Sequence, residues 1–124
     1  MKKMKTLFHI FNIVTIIFYL FPCSIMGLIF LGNCKLQPQL IKISIIPTNH
    51  IIVFFLLSML GFISFRERKK KFIFFYLFLI SIILEIMHKF IPTRAFELND
   101  MFGNIMGIIL SILIIKIINY WRCK

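Results

Sequence analysis

Glu85 is an acid inside an apolar run, and His88 follows three residues later on the same helical face. A carboxylate a turn or two into a membrane-crossing helix costs several kcal/mol unless it is neutral, paired or beside water. As a Glu-x-x-His pair the two side chains could exchange a proton or ligate iron, but a di-iron bundle needs two such motifs and further carboxylates. Only one is present. Three of the four acids, Glu85, Glu97 and Asp100, fall within sixteen residues around Arg94. A bidentate ion pair from Arg94 to Asp100 or Glu85 would leave one acid over and a net negative site. The sequence holds no zinc-protease helix, serine-nucleophile elbow, Gly-rich phosphate loop or Cys-His cluster. No metal or cofactor is therefore expected, and no catalytic residue is assigned. Cys23, Cys34 and Cys123 form no even set and show no CxxC spacing, so neither a disulfide framework nor a zinc site is expected.

The elements that must position these residues are apolar helices. Of 124 residues, 60% are hydrophobic and only 15% charged, and mean hydropathy is +0.98. A soluble domain of this size could not hide that much apolar surface. Four runs, roughly 7–31, 48–65, 72–91 and 100–120, approach the ~20 residues needed to cross a bilayer. The expected fold is an all-α membrane protein, a single domain over 1–124 built as a bundle of about four transmembrane helices. Pro22 should kink or tilt the first span, which is read as an uncleaved helix despite its basic start. Residues 36–47, half polar and broken by Pro38 and Pro47, suit an interfacial segment. Pro92 should stop the third helix, and Asn99 or Asp100 should cap the fourth.

The formal charge of +11 could suggest nucleic acid, but the basic residues fall in short clusters between apolar runs. A membrane accounts for them, and no nucleic-acid partner is expected. With four spans, eleven Lys and Arg share one side with both termini and the 66–71 loop, against Lys35, Lys42, Lys89 and Arg94 on the other. The positive-inside rule then places both termini in the cytoplasm and Arg94 outside, with Tyr120 and Trp121 at the inner interface.

Polar residues inside such helices should face other helices. Ser81, Glu85 and His88 share one face of the third span, and Asp100, Asn104, Gly107 and Ser111 one face of the fourth. Gly103 and Gly107 make a GxxxG pair for close backbone approach. His50, Ser58, Gly61 and Ser64 line the second span, and His9, Asn12, Thr15 and Tyr19 the first.

Residues 85–107 resemble the signature of VanZ-like membrane proteins, in which a late helical Glu precedes Phe-x-Pro-x-Arg and then Asp, Asn and Gly at the start of the next helix. Glu85, Pro92, Arg94, Asp100, Asn104 and Gly107 match that pattern, within a VanZ-like region of about 48–115. His50, heading a Phe-rich helix, is similar to the family's earlier histidine. His88 stands where the family usually has Gln, Ile46-Pro47 replace the usual Asp-Lys, and Ser111 replaces a frequent Gly. The resemblance implies a small bacterial protein of the inner membrane and cell envelope, in a family whose named member is associated with low-level resistance to the glycopeptide teicoplanin.

Three functions compete. In the first, the protein binds a lipid-linked or amphiphilic cell-wall ligand at the outer leaflet: Arg94 meets an anionic head group, and Glu85, Asp100, Asn104, His50 and His88 complete the ligand-binding set. Membrane lipids or a glycopeptide-like molecule are the expected partners. The second is a small proton-coupled multidrug exporter, although those carry their Glu in the first helix. The third is a membrane-embedded enzyme acting on a lipid-linked substrate. The oligomeric state is not legible.

Overall fold

The computed structural model describes residues 2–36, 38 and 47–122. They form α1 (Lys2–Leu20), α2 (Ile25–Leu31), α3 (Thr48–Ser64), α4 (Glu67–Met87) and α5 (Leu98–Arg122), with a 3-10 turn over His88–Phe90 continuing α4. No strand occurs among the described residues. The interfacial reading of 36–47 falls, apart from Leu36, Pro38 and Pro47, outside them, as do Cys123 and Lys124.

Three helices, α1, α4 with its 3-10 turn, and α5, are long and apolar enough to cross a membrane. The fourth, α3, has 17 residues and covers about 25 Å at 1.5 Å per residue, near the lower limit for ~30 Å of hydrocarbon. Burial supports lipid as the solvent. Among the described residues, twelve buried polar or charged side chains outnumber nine buried apolar ones, while Ile10, Ile13, Ile17, Phe72, Phe75, Ile109 and Ile117 point outward. Water would reverse that distribution. The polar stripes of the second, third and fourth spans are all buried. In the first, Asn12, Thr15 and Tyr19 are buried, but His9 is exposed and lies edge-on to Phe65.

Alternating helix directions bring the C-terminal ends of α1 and α4 beside the N-terminal ends of α3 and α5. The parallel pair α3 and α5 packs most closely. Gly107 explains why: a Cβ there would lie 2.4 Å from Ile51 O and 2.8 Å from Phe55 N, both backbone atoms that cannot swing away. Any side chain at 107 drives the two helices apart. At the opposite end, Ser64 Oγ donates to Met4 O at 2.9 Å, tying α3 to the start of α1.

The expected first span, 7–31, is two helices. Pro22 has no amide hydrogen to continue α1, which ends at Leu20, and Ser24 Oγ then accepts the Gly27 N–H at 3.0 Å to start α2. The chain recrosses α2 at Gly27, where a Cβ would fall 1.8 Å from Leu36 O. A disulfide between Cys23 and Cys34 closes this small cap, correcting the expectation of no disulfide. The odd count misled: two cysteines eleven residues apart meet only because α2 turns the chain back. Closing a loop of that size contributes about 3 kcal/mol in the chain-entropy model.

The third expected span starts at Glu67, earlier than 72, so the basic residues Arg68 to Lys71 form its first turns. It gives way at Met87 to the 3-10 turn, before Pro92 is reached. α5 starts at Leu98, which puts Asn99 and Asp100 inside its first turn and not ahead of it. There the Asp100 carboxylate faces the positive end of the helix dipole.

Candidate functional site

Four helix ends converge on Tyr19, the last but one residue of α1. Its ring stacks on His88 with centroids 5.8 Å apart and meets His50 edge-on at 5.3 Å. Its hydroxyl donates to Asn104 Oδ1 at 2.7 Å and lies 3.0 Å from His50 Nδ1. Asn104 Oδ1 is also 3.1 Å from His50 Nδ1, and His50 Nε2 is 3.3 Å from Asp100 Oδ2. One continuous polar chain therefore runs from α1 through α5 and α3 and back to the first turn of α5.

The second half of the site is built on Glu85, which is fully buried. Its Oε1 accepts the Glu97 N–H at 3.0 Å and pairs with His88 Nδ1 at 3.3 Å. His88 Nε2 donates to the Tyr19 carbonyl at 3.0 Å, since a carbonyl only accepts. A proton therefore has to lie between Nδ1 and Glu85 Oε1. Glu85 thus holds the α4–α5 connection to the helix that precedes it, while His88 holds α1 to α4. Glu85 Oε2, Asp100 Oδ1 and Asn104 Nδ2 are buried without a hydrogen-bond partner.

Arg94 does not pair with either acid. Its Nε donates to Phe21 O at 3.2 Å, and its Nη2 to Phe18 O at 3.2 Å and Cys23 O at 3.5 Å. The carbonyls at the end of α1 have no intrahelical donors, and a cation also answers the negative end of the helix dipole. The guanidinium fork satisfies three acceptors at once, a geometry that a carboxylate partner would sacrifice. Thr93 Oγ1 adds a bond to Pro22 O beside it. Partial burial draws the Arg94 pKa down, opposed by Tyr19, Glu85 and Asp100, so both acids still act on it through space.

Of the expected site residues, Glu85, His88, His50, Asp100 and Asn104 are brought together at one end of the bundle, with Arg94 on the adjoining wall. Tyr19, which links both halves, was legible only as one member of a polar stripe. Above this cluster a cavity of about 260 Å³ opens among Lys35, Thr93, Arg94, Ala95, Glu97 and Asp100. A second, of about 100 Å³, touches Tyr19, Asn49, His50 and Arg94. Two cations, Lys35 and Arg94, and two acids, Glu97 and Asp100, therefore line one polar recess at the helix ends.

Among curated proteins and among solved structures nothing matches this chain. A family profile described as VanZ/LLP1 does match, over residues 4–119, which takes in α2, α3 and α4, nearly all of α1 and α5, and every residue of the site. The chain belongs to the VanZ/LLP1 family.

Proposed function

We propose that this VanZ-family membrane protein binds the anionic head group of a lipid-linked or amphiphilic cell-wall ligand in the recess over Arg94, and that binding underlies low-level resistance to teicoplanin. The observation that carries the reading is the 260 Å³ cavity, which places Lys35 and Arg94 beside Glu97 and Asp100 at a helix-end depth. Cations there can take a phosphate, while the acids accept from sugar or amide donors. Among the described residues lining the recess, Lys35 is an exposed cation outside the Arg94 clamp, so it can engage a ligand without loosening the fold.

The expected test is native mass spectrometry of the detergent-purified protein. A bound lipid phosphate should survive in the wild type and fall at least tenfold in Lys35→Glu, with the fold unchanged. Equal occupancy in both proteins, or no bound lipid in either, contradicts the reading. A teicoplanin susceptibility assay with the same pair ties binding to resistance.

The recess lies on the outer face of the bacterial inner membrane, with both termini cytoplasmic. Two independent features support this side. The basic residues divide eleven to four, and the Cys23–Cys34 disulfide lies in the α1–α2 cap, on the side where oxidation persists. Reporter fusions at Lys69 and Lys124 should both signal cytoplasm; a periplasmic signal from either overturns the topology.

A further inference from the structure

We propose that His50, Glu85 and Asp100 form a buried binding site for a divalent transition-metal cation of the zinc or manganese type. The three residues come from the start of α3, the end of α4 and the first turn of α5, and each offers a donor atom within 4.8 Å of the others. Their exposures are 3%, 0% and 8%. Nothing in the sequence spacing announces the site, because its ligands are fifteen or more residues apart and meet only through the bundle.

Carboxylates so buried need a positive partner. His88 meets Glu85 at Oε1, and the donors of Arg94 go to the backbone carbonyls of Phe18, Phe21 and Cys23. Glu85 keeps Oε2, and Asp100 keeps Oδ1, without a hydrogen-bond partner. These are buried lone pairs on two members of a cluster whose donor atoms lie within 4.8 Å of one another, the condition that a cation relieves.

His50 is oriented for the same role. With the Asn104 amide oxygen toward the ring, Oδ1 accepts from the Tyr19 hydroxyl and from His50 Nδ1–H, which makes Nε2 the ring nitrogen that carries the lone pair. That lone pair stands 3.3 Å from Asp100 Oδ2. Two lone pairs at that distance repel unless something positive lies between or beside them. A tetrahedral ion with ligands at about 2.0–2.1 Å separates neighbouring donor atoms by about 3.3–3.4 Å. Metal-bound histidines commonly donate their other nitrogen to a carbonyl or carboxylate, as His50 does to the Asn104 amide. One nitrogen and two carboxylates suit zinc or manganese, and three protein ligands leave a coordination position open. The inference does not depend on the identity of the ligand proposed above.

The competing arrangement is a shared proton: a reversed Asn104 amide would donate to Nδ1 and leave Nε2–H bonded to Asp100. Untagged full-length protein, stripped with a chelator and exchanged into metal-free detergent buffer, separates the two. With added zinc it should retain one ion per chain by elemental analysis after desalting, and with cobalt it should develop visible ligand-field bands. Asp100→Asn and His50→Ala should each lower retention at least tenfold, while Glu67→Gln, an acid at the far end of the bundle, should not. Wild-type protein that keeps no zinc and shows no cobalt bands overturns the site, whatever the variants do. Folded His50→Ala or Asp100→Asn protein that retains metal as the wild type does would overturn it equally.

Discussion

Arg94→Ala should remove most of the folded protein from detergent extracts, and Arg94→Lys should recover only a part of it. The guanidinium supplies donors to three carbonyls, Phe18 in the last turn of α1 and Phe21 and Cys23 just after it, and hydrogen bonds from a charged group contribute about 1.5–3 kcal/mol each. Even partial exposure leaves a loss of about 3 kcal/mol or more, enough to unseat a small bundle. Lysine keeps the charge at the helix C-terminus but, as a point donor, cannot hold a fork of acceptors. Fluorescence-detected size exclusion after a heating series reads both variants. If Arg94→Ala melts with the wild type, the clamp does not support α1.

Glu85 should show the opposite pattern, in which the conservative change is tolerated. In Glu85→Ala, the Glu97 N–H and His88 Nδ1 lose their common partner and a cavity opens, a combination that costs about 3–5 kcal/mol for a buried pair. Glutamine retains an oxygen for the Glu97 N–H and fills the volume, so its loss should stay near 1–2 kcal/mol. The same heating series ranks wild type, Gln and Ala in that order. Equal stability of Glu85→Ala and wild type would mean that the carboxylate is not part of the framework. If the metal site exists, Glu85→Gln should also weaken zinc retention, a readout that the stability series does not provide.

The polar faces of α3, α4 and α5 were legible in the sequence because a lipid-exposed helix has no use for Ser81, Glu85, Asn104 or Ser111. Their periodicity reports burial directly. Other features left no comparable signal. Arg94 was expected to meet Glu85 or Asp100, since acids are its visible partners in a sequence. Its real acceptors are backbone carbonyls, which every residue carries. Tyr19 reads in the sequence as one member of the polar stripe of the first span, and only the convergence of four helix ends makes it a hub. The break after Leu20 turned on how Pro22 and the Ser24 cap act together, and the Cys23–Cys34 bond on the return of the chain over Gly27.

The recess over Arg94 is probed most directly by a photo-crosslinking amino acid at Ala95, an exposed position that lines the cavity, with Ile109 on the lipid-facing side of α5 as the control. Irradiation in intact cells should attach a lipid-linked cell-wall precursor at 95, identified by mass spectrometry and lost in the Lys35→Glu background, while 109 captures bulk phospholipid. Bulk phospholipid alone at both positions would contradict a head-group site at this end of the bundle.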